Sequence, residues 1–382
     1  MDQNNSQLTM ESILESEDSS LKKLRISKYE LLEKEIGCPL IVYITSTRPN
    51  IPGSINPLIE RPFIDIIQTI PQEEKNIAIF LYSTGGDANT AWKLISLLRE
   101  RFDKITVIVP YMAYSAATMF ALGADEIIMH PYANLGPIDP QITMRTSEGK
   151  KQFAYEDLCA FFRFLKTEAN INGEEQITRL MEKMFTRLEP QGVGFAHRAS
   201  EMAGTIGERM LKMHMDDQYK AKQIASNLNR SFFNHGDAVS RALAKKMGLS
   251  IKEIDSDFEN LIWETFLVLE SFMKLREDFN PRLKLLKDPD VAKTLAPKPD
   301  LQLPPSDSIE PNIKELLVNK LVETIMKQQS QKNYVPYSFI MEMVESKEHS
   351  ELHMEEGNIY GTNTPQGLSI EVMPTFSGWK KF

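Results

Sequence analysis

Ile77-Ala78-Ile79-Phe80-Leu81-Tyr82-Ser83-Thr84-Gly85-Gly86-Asp87 passes from an unbroken apolar run into two glycines and an aspartate. A helical pattern, Asn89 to Phe102, follows directly. An apolar run without alternation fits a strand covered on both faces. Pro39 to Thr45, Ile105 to Val109 and Glu126 to Met129 repeat that pattern. Helical patterns at Asn56 to Ile70 and Ser115 to Leu122 fall between the runs. Strand and helix therefore alternate, which predicts an α/β fold with a parallel sheet built from right-handed crossovers.

Away from this centre the character changes. The first twenty residues are polar and read as flexible. Leu21 to Ile36 has amphipathic helical spacing, and residues 21–250 read as one α/β domain with helical insertions after Gln141. Residues 251–288 read as a long helical segment, and residues 289–311 as a proline-rich linker. Residues 312–382 read as a C-terminal α+β appendage.

The chain has 382 residues, 42% of them hydrophobic and 25% charged, with a net charge of −9. That is an ordinary globular composition. The acidic balance argues against a general nucleic-acid binder, because neutralising phosphates needs clustered cations. The two cysteines, Cys38 and Cys159, exclude a disulfide framework and a four-cysteine zinc site. The most apolar long stretch, Phe258 to Leu275, carries Glu259, Glu264 and Glu270, so no membrane span is expected. The first twenty residues have neither a basic nor an apolar signal region, and a cytoplasmic location is the expectation.

Three turns carry possible chemistry. In Ser83–Asp87, glycines at a strand-to-helix turn allow positive φ and close approach of a ligand to backbone N–H groups. A plain tight turn would look the same. The spacing is neither that of a P-loop nor that of a dinucleotide fingerprint. Ser115, in Ala113-Tyr114-Ser115-Ala116-Ala117, opens a helix of small residues. It reads either as an N-cap or as a nucleophile displayed on a turn. Asn134-Leu135-Gly136-Pro137-Ile138-Asp139-Pro140-Gln141 is a stiff loop holding one carboxylate.

In this order and spacing the chain resembles the Clp/crotonase superfold, with the likeness covering roughly residues 35 to 250. It is most similar to the SDH-family (serine dehydrogenase proteinase) branch, which is related to signal peptide peptidases. The resemblance rests on PLIVYITSTR (Pro39–Arg48), FLYSTGGD (Phe80–Asp87), VIVPYMAYSAATMFALGADEIIMHPYANLGPIDPQI (Val107–Ile142) and FFNHGDAVSRALAKKMGL (Phe232–Leu249). It implies a serine endopeptidase needing neither metal nor nucleotide, with Ser115 as nucleophile. It places Gly85, Gly86 and Ala116 in the oxyanion hole. It also implies a homo-oligomer, a trimer, hexamer or ring, acting on polypeptide substrates.

The general base stays open. The Clp peptidase has a histidine in the loop matching Gly136 to Gln141, where this chain has Asp139. Its acid lies near the position of His235. The two groups thus look exchanged, and Ser115–His235 oriented by Asp139 is sensible triad chemistry. Lys166, 51 residues after Ser115, is the alternative, since a desolvated lysine can serve as base. Lys150 and Lys151 lie in a polar stretch. His130 reads as a strand-end residue, and His197 and His214 as isolated. His349 and His353 are spaced i, i+4 in a Glu-rich patch, either a divalent-metal pair or a solvated acidic face. Trp379 reads as a docking aromatic or a plug.

A non-catalytic scaffold or peptide-binding module of the same fold is the alternative function, favoured by the missing Clp-type histidine. An acyl-CoA enzyme is a third reading. It would not need Ser115, and the chain lacks an evident basic cluster for nucleotide phosphates.

Overall fold

Each of the four apolar runs forms a strand, and the strands lie side by side. We describe a computed structural model, covering residues 10–146, 149–186, 188–230, 238–296, 313, 315–320, 332–364 and 367–382. Helix α1 (Met10–Ile36) leads into β1 (Leu40–Thr45), the short strands β2 (Thr47–Arg48) and β3 (Ile51–Pro52), a 3-10 turn at Pro57–Ile59, and α2 (Glu60–Thr69). Next come β4 (Asn76–Tyr82), α3 (Ala88–Arg101), β5 (Lys104–Val109), β6 (Met112–Ala113), α4 (Ala116–Leu122), β7 (Glu126–Met129) and β8 (Asn134–Leu135). Strands β1, β4, β5 and β7 are adjacent and parallel, so the expected α/β architecture is present.

The burial explains why these runs are apolar without alternation. Ile41, Tyr43, Ile79, Leu81 and Val107 face a core built with α2, α3 and α4, around Phe63, Leu94 and Phe120. Leu40, Val42, Ile44, Phe80 and Ile108 face a second core with Tyr29 and Leu32 of α1. Both faces of each strand are covered, so each residue gains from apolar burial.

The helical insertion contains a β9 (Gln141–Thr146) and β10 (Gly149–Ala154) hairpin, then α5 (Tyr155–Thr167), α6 (Glu174–Phe185), α7 (Pro190–Lys212) and α8 (Gln218–Arg230). It is followed by β11 (Val239–Ser240), α9 (Arg241–Met247) and α10 (Ser256–Phe272). Phe258, Ile262, Phe266 and Leu269 of α10 join the second core, packing beside α1.

Three further segments take regular structure. α1 begins at Met10, inside the stretch whose composition reads as flexible. After α11 (Pro281–Lys287), within the expected linker, comes α12 (Pro289–Leu295), a packed helix. Its proline stands at N1, where the missing N–H is harmless, and Asp288 caps it through the N–H groups of Asp290 and Val291. Val291 and Leu295 are buried with Val335 and Ile359.

The C-terminal stretch joins the central sheet. Strands β12 (Tyr334–Glu345), β13 (Ser350–Thr364) and β14 (Gly367–Lys381) extend the central sheet, whose order is β14-β13-β12-β1-β4-β5-β7. β12 pairs antiparallel with β1, and Arg25 of α1 bonds Glu345 of β12 through Nε at 2.9 Å. Tyr29 donates to the same carboxylate at 2.6 Å. Among the described residues no helix is long and apolar enough to cross a membrane.

Candidate active site

Ser83 follows β4 and starts the site. Thr45 Oγ1 donates to its hydroxyl at 2.8 Å, and the same oxygen accepts the Gly85 N–H at 3.0 Å. Gly85 and Gly86 have φ of +104° and +148°, conformations that a side chain would strain. Space demands glycine as well. A Cβ at Gly85 would lie 2.5 Å from the Tyr114 carbonyl oxygen and 2.8 Å from the Ser115 Cβ. A Cβ at Gly86 would lie 2.2 Å from the Ile55 carbonyl oxygen. The Ile55 backbone clamps the turn, its N–H donating to Gly85 O at 2.8 Å and its carbonyl accepting from Asp87 N at 2.8 Å. Asp87 then caps α3 through the N–H groups of Asn89 and Thr90.

The serine turn lies against this one. Ser83 N donates to Met112 O at 3.2 Å and Tyr114 N to Ser83 O at 3.0 Å. Ser115 stands at φ +52°, ψ −118°, and its side chain makes no capping bond to α4. The N-cap reading therefore fails. A non-glycine residue in such a conformation costs on the order of 1–3 kcal/mol and persists only where its surroundings impose it. Ser115 is half-buried at the start of α4, and every residue of α4 is buried.

The N–H groups of Gly86 and Ala116 have no hydrogen-bond partner among the described residues. The Gly85 N–H is engaged by Ser83. Of the three expected oxyanion residues, two offer a free donor, while Gly85 supplies the room in which the serine turn sits.

Thr118, which no sequence pattern singles out, joins the third loop to the second. Its hydroxyl donates to Ala113 O at 2.7 Å and accepts the Gly136 N–H at 3.0 Å. A hydroxyl within an otherwise apolar helix is the one signal it leaves. Gly136 has its own reason to be glycine, since a Cβ there would lie 2.9 Å from the Tyr114 ring. Burial raises the Tyr114 pKa above its usual value. Asp139 is half-buried three residues further along this loop.

His235 lies outside the described residues. The chain on either side is anchored at the same loop: Leu228 O accepts the Ile138 N–H at 3.0 Å, and Val239 of β11 pairs with Leu135 of β8. Lys166 is exposed in the last turn of α5, with no described contact to the serine turn. Lys150 and Lys151 lie on β10.

The remaining histidines stay apart from Ser115. His130 Nδ1 accepts the Tyr132 N–H at 3.1 Å, and its ring stacks on Trp263 at 5.1 Å. Burial lowers its pKa, with Arg241 adding and Glu259 opposing. His214 Nε2 meets Leu122 O at 2.9 Å, and burial lowers its pKa. His197 is 3.6 Å from Glu201. His349 and His353 are neither a metal pair nor part of a solvated acidic face. His349 precedes β13 and His353 lies within it. Extended chain separates positions four apart by about 13 Å, too far to share one ion. Glu342, Glu345 and Glu351 around them are buried. Trp379 stacks on His353 at 5.2 Å, as an internal plug.

Residues 61–150 match the profile of a family described as ClpP-like SDH-type serine proteinase, so the resemblance read from the sequence holds over that stretch. The uncharacterized protein MJ1495 of Methanocaldococcus jannaschii is 28% identical over 179 residues, 47% of this chain and 53% of that protein. A second uncharacterized protein of that organism, MJ0137, is 39% identical over 70 residues, 18% of this chain and 24% of that protein. The chain thus spans about half or less of the curated relatives it matches. Among solved structures, a serine-to-alanine mutant of the 1510-N membrane-bound stomatin-specific protease aligns over 58% of this chain and 83% of that one, at 15% identity and TM-score 0.35. ClpP1 from Listeria monocytogenes aligns over 59% and 98%, at 15% identity and TM-score 0.29.

Proposed function

We propose, on the premise that residues 61–150 match the ClpP-like SDH-type serine proteinase family, that this chain is a serine endopeptidase acting without ATP through an acyl-enzyme on Ser115. One observation carries the reading. Ser115 is held at positive φ with no side-chain capping bond, against the Gly85 turn, and the N–H groups of Gly86 and Ala116 have no partner among the described residues.

In this reading Ser115 Oγ attacks the scissile carbonyl carbon and gives its proton to a base. The tetrahedral oxygen, now negative, accepts hydrogen bonds from Gly86 and Ala116. Removing one such donor costs roughly 10²–10³ in turnover in well-studied hydrolases. The base returns the proton to the leaving amine, and water then hydrolyses the ester by the same route in reverse. His235 is the proposed base, oriented by Asp139. Its support is the anchoring of Leu228 and Val239, on either side of it in the chain, beside the Asp139 loop. Lys166 is the weaker candidate, because it is exposed and a lysine base depends on desolvation.

The assembly we propose is a homo-oligomer, supported by exposed Phe161, Phe164, Phe195 and Met202 on α5 and α7. Polypeptides in the cytoplasm are the proposed substrates. The test is labelling with a fluorophosphonate probe, the adduct mapped by mass spectrometry, in the wild type and in Ser115→Ala, His235→Ala and Lys166→Ala. An adduct on Ser115, lost in one partner variant, supports the peptidase and names its base. No adduct in any assembly state returns the chain to the scaffold reading.

A further inference from the structure

Among the described residues, Glu342 is a buried charge with an unpaired oxygen. It lies on β12, 2% exposed. Its Oε1 accepts a hydrogen bond from Asn56 Nδ2 at 2.5 Å and lies 3.3 Å from His353 Nδ1. Its Oε2 is buried with no partner among the described residues, and so is the nearby Tyr43 hydroxyl. Burial, with the Glu342 charge adding, pushes the Tyr43 pKa well above its usual value. A buried carboxylate with one oxygen unpaired is costly and calls for a reason.

The reason lies in what Asn56 holds. Its Oδ1 caps the 3-10 turn through the Leu58 N–H at 2.9 Å, and its Nδ2 also donates to Ser54 O at 2.8 Å. Both ends of the amide are therefore committed, and its orientation is set. The preceding residue is Ile55, whose N–H and carbonyl clamp Gly85 and Asp87 on either side of Gly86. The carboxylate thus reaches the free Gly86 N–H through one side chain and one peptide. A second path from the same strand runs beside it. Met341 is the extra residue of a bulge in β12, its neighbours Ile340 and Glu342 pairing with consecutive residues of β13. Its carbonyl accepts the Ser46 N–H at 2.7 Å, and Ser46 O accepts the Gly53 N–H at 2.9 Å. A Cβ at Gly53 would lie 2.1 Å from Met341 O. Bulges commonly re-aim a strand beside a functional site.

We propose that Glu342 is a positioning residue for the oxyanion turn: the C-terminal hairpin, through Glu342 and Asn56, sets the direction of the Gly86 N–H at Ser115. The proposal rests on the peptidase reading for its catalytic consequence, but the mechanical link stands without it. The hairpin is then a working part of the site rather than an extension of the sheet.

The experiment uses the full chain and two readouts. Hydrogen exchange followed by mass spectrometry reads the amides of residues 84–90, and fluorophosphonate labelling reads Ser115. In Glu342→Ala, exchange at 84–90 rises at least about tenfold while peptides from β4 and β5 stay protected, as expected for local opening. Labelling slows about 10²-fold, the loss of one oxyanion donor. Asn56→Asp keeps a good cap but sets two carboxylates together, and it behaves like Glu342→Ala. Combining Asn56→Asp with Glu342→Gln restores the hydrogen bond with its direction reversed, and labelling recovers to within about tenfold of wild type. A merely structural role would move thermal stability in all three variants and show no such recovery. Unchanged exchange at 84–90 in Glu342→Ala overturns the proposal, as does exchange that rises with labelling untouched. If the wild type takes no label, the peptidase reading fails, and the exchange and its recovery still decide whether Glu342 holds the turn.

Discussion

The central sheet has two halves that obey different rules. In the parallel half, β1, β4, β5 and β7 are buried on both faces, and their sequences are unbroken apolar runs. In the antiparallel half, β14 is largely exposed and β12 mixes buried with half-buried positions. The parallel half carries the Gly-Gly turn after β4, and the serine turn, after β6 of the small sheet β11-β8-β6, lies against it. The antiparallel half carries the buried charges Glu342, Glu345 and Glu351. Apolar burial shapes the first, and polar pairing with distant segments shapes the second. A sheet continuous in space thus joins two kinds of strand, one stabilised by two-sided apolar burial and the other by buried polar pairs.

The strongest change strikes the active end of the parallel half. Ser115→Ala abolishes fluorophosphonate labelling and lowers any peptidase rate by about 10³-fold or more, with the melting temperature within a few degrees of wild type. Retained labelling at another residue would move the chemistry out of the parallel half. Gly86→Ala comes next, because its Cβ would meet the Ile55 carbonyl and swing the donor away. Labelling falls about 10²–10³-fold, measured as the second-order rate.

Packing separates the two halves further. Phe80→Ala, in the middle of β4 and fully buried, lowers unfolding stability by about 3–5 kcal/mol in urea titration. Val372→Ala, on exposed β14, changes it by no more than about 0.5 kcal/mol. Equal losses would show that the two halves share one core. Ser115→Gly then isolates the strain: glycine tolerates φ +52°, so stability rises by about 1 kcal/mol as labelling disappears.

The weakest effect is in pH. Burial lowers the pKa of both His130 and His214 in the folded state, so the unfolded chain takes up protons first. Stability is therefore unaffected at neutral pH and falls as pH drops below about 6.5, levelling off once the folded pKa values are passed. His214→Gln flattens that slope in denaturant titrations at pH 5 to 8. An unchanged slope would place the titration elsewhere.

Much of this molecule is legible along the chain. The four parallel strands are, because two-sided burial writes itself as a local apolar run. The Ser83–Asp87 and Ser115 turns are also legible, because glycines and small residues at strand ends mark close backbone approach. Thr118 escapes notice because a lone hydroxyl in a helix has no pattern. The spacing of His349 and His353 misleads because i, i+4 has meaning only on a helix, and these residues flank and occupy a strand. Pro289 has the look of a breaker, although at N1 it starts a helix.

Periodicity and backbone sterics, which act over a few residues, are enough for the α/β class, the alternation of strand and helix, and the turns that bear Ser115, Gly85 and Gly86. Folding in three dimensions was needed to engage the Gly85 N–H while leaving those of Gly86 and Ala116 without a partner among the described residues, and to bring β12, β13 and β14 into the same sheet. It also set Glu342 against Asn56, 286 positions away. Antiparallel pairing between distant segments is settled by packing and buried hydrogen bonds rather than by local preference, so no window of the sequence contains it.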